Sequence, residues 1–167
     1  MFGVGDTVLY GTQGVCKIAG TEQKRIRGEY VDYLVLRPIY DETSTIFVPK
    51  NNETLLAKMR AVLSKEEIYE MIRDMPDEDT IWIEDDNLRK QQYQQIISDG
   101  DRRKLVKLIK TLHLHRLSQE EKGRHLHQAD EVVLKQAEKL LHDEFALVLN
   151  IRPDEVLPFI LEQTEAV

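Results

Sequence analysis

The chain is poor in cysteine. Cys16 is the only one in 167 residues, which excludes an internal disulfide and makes a reducing cytoplasm the expected compartment. No apolar run approaches the ~20 residues that a membrane-spanning helix needs, so no membrane role is expected. The opening stretch Met1-Phe2-Gly3-Val4-Gly5-Asp6 lacks the basic and apolar regions of a signal peptide. There is no glycine-rich phosphate loop, no Gly-x-Ser-x-Gly, and no cysteine–histidine pair with supporting context. None of the many carboxylates stands out as a shielded pair, so neither an enzyme nor a cofactor is expected. His113-Leu114-His115 and His125-Leu126-His127 come nearest to a metal motif. On a helix, residues two apart diverge by about 200°. No Cys-x-x-Cys or His-Glu-x-x-His accompanies them, so they read as helix-surface or interhelical polar residues and no metal is expected.

What the chain has in quantity is charge. Charged residues make up 32% and the net charge is -7, which argues against a general nucleic-acid binder. The distribution is uneven. Residues 1–50 hold 6 basic and 6 acidic side chains, residues 51–88 hold 4 and 11, residues 89–127 hold 10 and 4, and residues 128–167 hold 3 and 9. The running balance is therefore 0, -7, +6 and -6, a single basic island inside an acidic chain. Such an island attracts phosphates locally while the remaining surface discourages non-specific binding.

Periodicity changes near residue 50. Asp6–Tyr10 reads as a short strand, Gly11 and Gly14 bracket a turn, and Val15–Thr21 alternates as a half-buried strand does. A charged bend follows over Lys24–Glu29. Tyr30–Arg37 makes a long strand rich in β-formers, and Thr45–Pro49 makes a last short one stopped by proline. Four short strands with tight turns predict a small, strongly bent barrel of SH3-like or Tudor-like class.

Beyond residue 50 the pattern is helical. Asn51 or Asn52 caps a short helix over Glu53–Arg60. Ser64-Lys65-Glu66-Glu67 is a capping box opening a helix that Pro76 ends. The acidic turn Pro76–Thr80 is a candidate joint between modules, with the Ser64 helix on either side of it. A helix through Leu88 and Ile97 is broken at Ser98-Asp99-Gly100-Asp101, and Asp101 caps the next, which buries Leu105, Leu108, Ile109 and Leu112. Ser118-Gln119-Glu120-Glu121 reads as a second capping box. Ala129–Leu149 is the longest helix, with Asp130 as a candidate cap, and Pro153 opens a last helix. The expected fold is α+β: a small bent β-barrel over residues 1–60, then an all-α bundle over residues 61–167. Arg103, Lys107 and Lys110 share one helix face opposite the leucine stripe, as phosphate-backbone contacts require.

The runs Phe2–Tyr10, Gly14-Val15, Tyr33–Leu36 and Val48-Pro49 resemble the RNA-polymerase-interacting domain of the CarD/CdnL family and of the transcription–repair coupling factor. The resemblance implies a Tudor-like barrel that docks on the β subunit of bacterial RNA polymerase. Docking of this kind uses a strand edge with basic or apolar anchors. Lys24 or Arg25 fills the position of a family residue that contacts polymerase, with Arg27 nearby, and Phe47 stands where the family has an arginine. The helical half resembles the family's C-terminal domain in its helix–Ser-Asp-Gly-Asp–helix joint and in the Ala137–Ala146 run. That implies contact with promoter DNA at the upstream edge of the transcription bubble, where a family tryptophan acts as a wedge. Here Asp86 occupies the tryptophan's place and Trp82 lies four residues earlier, either a displaced wedge or a core residue. The basic candidates for DNA contact are Arg89, Lys90, Arg102, Arg103, Lys104, Lys107 and Lys110.

The chain is thus expected to be a monomeric bacterial transcription regulator. It would bind the polymerase β subunit, touch promoter DNA and modulate open-complex stability. An adaptor that binds polymerase or another protein without touching DNA is the alternative.

Overall fold

A computed structural model describes residues 2–165. The chain divides between Val62 and Leu63 into two compact units. The first unit contains β1 (Thr7–Tyr10), β2 (Val15–Ile26), β3 (Glu29–Pro38), β4 (Ile46–Pro49), the one-turn helix α1 (Glu53–Leu56) and β5 (Met59–Ala61). All pairings are antiparallel, in the order β4-β3-β2-β1-β5. No pairing joins β4 to β5 among the described residues, so hydrogen bonding makes an open sheet where a closed barrel was expected. The β2–β3 register shifts between Ile18 and Gly20, an irregularity of the kind that bends a strand and increases its twist. Val8, Tyr10, Cys16, Ile18, Leu34, Leu36, Val48 and Met59 fill the inner face. The expected helix to Arg60 stops at Leu56, because Met59–Ala61 pairs with β1 instead. Asn52 caps α1 by accepting from the Leu55 N–H.

The charged bend expected over residues 24–29 is instead a tight hairpin. Ile26 pairs with Glu29 across the two-residue turn Arg27-Gly28, with φ of 52° and 83°. Two positive φ values in succession give the turn type whose twist matches flanking strands. Glycine adopts it freely; arginine does so at a cost of roughly 1–2 kcal/mol.

The second unit contains α2 (Lys65–Asp74), α3 (Asp86–Asp99), α4 (Arg102–Glu121), α5 (Gln128–Leu149) and α6 (Pro153–Glu165). Ser64 opens α2 with a complete capping box, and Asp85 and Asp101 cap α3 and α4. The 22-residue α5 is long enough, at about 1.5 Å per residue, to serve two clusters. One gathers Ile68, Met71, Ile72, Val106, Leu141, Phe145, Val156 and Ile160 from α2, α4, α5 and α6. The other gathers Tyr93, Ile97, Leu105, Leu108, Leu112, Val133, Leu134 and Ala137 from α3, α4 and α5. The capping box expected at Ser118 does not start a helix, since α4 runs through it to Glu121. Asp130 is not a cap either; α5 starts two residues earlier, and this carboxylate is buried against α3. Pro76–Thr80, the candidate joint, falls inside the second unit. No helix among the described residues is long and apolar enough to cross a membrane.

Candidate functional site

In the first unit, strand alternation sorts the four candidate anchors. Lys24 faces outward together with Tyr33 and Phe47. The Lys24 Nζ sits 3.5 Å from the Phe47 ring centroid and 5.7 Å from that of Tyr33. The two rings meet edge to face at 6.2 Å. This follows from the register: Tyr33 pairs with Glu22 and Pro49, and Val35 with Phe47, so residues of one pleat converge on one face. Phe47 remains 37% exposed on β4, the end strand of the sheet, which leaves an edge beside an aromatic–cation cluster. No carboxylate pairs with Lys24 among the described residues. Arg25 projects from the opposite face, 5.9 Å from the exposed Tyr30 ring, its cross-strand partner. Arg27 is at the hairpin tip. Gln23–Asp32 extends beyond the registers that β1 and β4 share with this hairpin, and apart from the Asp32 carbonyl, which accepts from the Lys50 N–H at 2.8 Å, its backbone pairing lies within the hairpin. Lys24 and Phe47 are therefore one cluster, while Arg25 and Arg27 are separate from it. Tyr33 was missed in the sequence, although the hairpin register would have revealed it.

In the second unit, most of the basic candidates already have partners. Arg89 is 4% exposed. Its guanidinium donates to Asp130 Oδ1 at 3.0 Å, to Asp86 Oδ1 at 2.8 Å and to the Ile83 carbonyl at 2.9 Å. It is a core residue rather than a phosphate contact. Arg102 makes a two-pronged pair with Glu144, at 3.0 and 2.7 Å, and Glu144 also accepts from the Leu63 N–H. Arg103 donates to Glu78 and Asp74, at 3.2 and 3.3 Å, and Lys107 lies 3.8 Å from Glu78. Lys110 Nζ donates to the carbonyls of Met75, Pro76 and Glu78. The face shared by Arg103, Lys107 and Lys110 exists as expected, but the turn between α2 and α3 lies on it.

Lys90 and Lys104 keep exposed side chains with no ion pair among the described residues. Lys90 lies in a shallow groove of α3 with Asn87, Gln91, Gln94, Gln95 and Ser98. Exposed Lys122 and Arg124, in the loop between α4 and α5, are further cations of the basic island and lie off the α4 stripe. Their signal was present in the charge count but not in helical periodicity.

Trp82 is half-buried, with two side chains packed on its ring. His115 stacks on it with centroids 3.7 Å apart and 18° between the planes, and the Arg89 guanidinium lies 4.5 Å from its centre. Its indole N–H donates to Glu84 at 3.1 Å. The chain around it is fastened by the Ile81 N–H donating to Thr111 Oγ1 and by Tyr93 O–H donating to the Ile81 carbonyl. Trp82 is thus a packed residue of the second unit, not a ring presented for insertion. Burial lowers the pKa of His115, as it does for His142, and the hydrogen bond to His113 lowers that of Glu138. No group of three or more His, Cys, Asp or Glu side chains that could hold a metal is found among the described residues. Cys16 is buried, and burial pushes its thiol up to about 11, away from nucleophilic chemistry.

The first unit also coincides with a known domain. Residues 2–63 match the family model described as the CarD-like/TRCF RID domain. The match ends within one residue of the boundary between the two units.

Proposed function

Residues 2–63 being a CarD-like, RNA polymerase-interacting domain, we propose that the chain is a bacterial transcription regulator of CarD/CdnL type, tethered to the polymerase β subunit by its first unit. The Lys24–Tyr33–Phe47 cluster beside the β4 edge carries this reading. An aromatic ring with a cation over it, at a strand edge, supplies both buried area and backbone pairing to a partner strand. The open sheet takes the role of the Tudor-like barrel. Phe47, where the family has an arginine, keeps a cation at the site by holding Lys24 over its ring.

The second unit contacts promoter DNA beside the melted segment. The exposed Lys90 and Lys104, with Lys122 and Arg124 of the loop between α4 and α5, are its available cations, with Arg103 and Lys107 in reserve behind their carboxylate partners. Contact with the open state shifts the closed-to-open equilibrium by the difference in affinity for the two states. A difference of ~1.4 kcal/mol changes the ratio about tenfold. Tethering reconciles this with a net charge of -7, because polymerase binding raises the effective concentration of a weak DNA contact. The reading involves no catalysis by the chain itself.

One observation favours a second reading, an adaptor that binds polymerase without DNA. Arg89, Arg102, Arg103 and Lys107 are all matched by the chain's own carboxylates. The two readings separate in a promoter-melting assay with polymerase. A regulator changes the open fraction at saturating protein and loses that effect with Lys90→Glu/Lys104→Glu. An adaptor binds polymerase and changes nothing. Failure of the full chain to bind the β subunit would overturn the regulator and leave an adaptor for another protein partner.

A further inference from the structure

We infer that the segment from Asp74 to Glu78 is a built-in mask over the basic face of α4, holding Arg103 and Lys107 closed to polyanions until the protein is tethered. The inference rests on the DNA-contact reading and names how that contact is regulated. Glu78 takes two cations at once, Arg103 Nη1 at 3.2 Å and Lys107 Nζ at 3.8 Å, and its side chain is only 13% exposed. Asp74 takes the second arm of Arg103 at 3.3 Å. Two carboxylates thus occupy positions over one helix face that phosphate oxygens of a nucleic acid would take.

Lys110 has a different task. Its ammonium is given to three backbone carbonyls, those of Met75, Pro76 and Glu78, the last at 2.6 Å. No carboxylate among the described residues pairs with it, so it clamps the backbone of the segment and thereby aims Glu78 at its two cations. The clamp and the charge pairs are separable, and that separation gives a device rather than only a fold contact. Ion pairs as exposed as Arg103–Asp74, with side chains 53% and 47% accessible, are weak and screened by salt. A strand of phosphates that releases its counterions on binding can compete for them. In free solution the pairs stay closed, and the acidic protein does not collect nucleic acid. At the high local concentration that tethering creates, the exchange becomes favourable. The clamp keeps the segment in register, so the mask reseats on release.

The test measures binding of the full chain to a short DNA duplex carrying an unpaired segment, by fluorescence anisotropy across a salt series. The mask variant is Asp74→Asn/Glu78→Gln. A control of equal net charge is Asp77→Asn/Asp79→Asn, whose carboxylates are exposed in the same stretch and touch no cation among the described residues. Freeing two cations is expected to steepen the slope of log affinity against log salt by about two in the mask variant alone. Adding Arg103→Ala/Lys107→Ala to it returns the slope to that of the parent. Thermal melting of each variant verifies that the second unit is folded. Equal slopes for wild type and mask variant, with both binding, would overturn the mask and leave the DNA contact standing. An equal gain in the control would overturn it too, by reducing the effect to net charge. No binding by any form, mask variant included, would overturn the mask and the DNA contact together.

Discussion

Replacing Arg89 by methionine separates a structural cation from a DNA-binding one. Arg89 and Asp130 have side chains 5% and 6% exposed. Removing the guanidinium leaves a buried carboxylate without its counter-charge, which costs about 3–5 kcal/mol in comparable pairs. The carbonyls of Ile83 and Glu84 lose their donor, at 2.9 and 3.3 Å, and Trp82 loses the cation over one face. These losses overlap and do not add. Against a typical total of ~5–15 kcal/mol, the single change takes away a large share of the second unit's stability. In Arg89→Met/Asp130→Leu the orphaned charge is gone, and because apolar replacement of buried pairs is often neutral, the double variant should regain at least half of the loss. Urea unfolding followed by circular dichroism and by emission of the only tryptophan supplies both values. A single variant as stable as wild type that nevertheless loses DNA affinity would refute this, and would make Arg89 the phosphate contact that its place in the basic island suggests.

Two further predictions concern stability. Arg27→Asn removes an arginine from left-handed backbone (φ 52°) in favour of a residue that tolerates it; the melting temperature should rise, by the equivalent of about 1 kcal/mol, and an unchanged or lower value would contradict the assigned turn. His115 and His142 are held below their ordinary 6.5 by burial, so the fold favours their neutral forms. Their contribution is present above pH 6.5 and is lost as pH falls through the lowered values. Glu138, held below 4.5 by the hydrogen bond to His113, adds a further loss at more acid pH. Urea midpoints should therefore decline on acidification below pH 6.5, and less so in His115→Gln/His142→Gln; a decline of the same size in that variant would assign the effect elsewhere.

Much of the architecture was legible because local chemistry decided it. Asn52, Ser64 and Asp101 act as caps because their side chains reach the N–H three residues on, information contained in a short window. The change from strand to helix near residue 50 was legible for the same reason. Where the outcome depended on distant partners, the reading failed. Met59–Ala61 looks like the end of a helix until β1 offers it an edge. Ser118-Gln119-Glu120-Glu121 has the letters of a capping box, but α4 had not ended. The basic stripe was correctly placed on one helix face. That Asp74 and Glu78 would lie across it involves separations of 29 and 25 residues, beyond any periodicity argument. Arg89 has a local partner in Asp86, three residues before it, but the buried carboxylate that holds it in the core is Asp130, 41 residues on. At the first unit the stretch Lys24–Arg27 was rightly seen as charged, but alternation in a hairpin of unanticipated length put Lys24 and Arg25 on opposite faces.

That last point makes the polymerase tether directly testable. The full chain is titrated calorimetrically into the isolated β-subunit lobe of a bacterial RNA polymerase, as wild type, Lys24→Glu and Arg25→Glu. The account predicts saturable binding by wild type and by Arg25→Glu, and loss of binding in Lys24→Glu, whose carboxylate would face the Phe47 and Tyr33 rings. Binding that survives Lys24→Glu, or that Arg25→Glu abolishes instead, would contradict it.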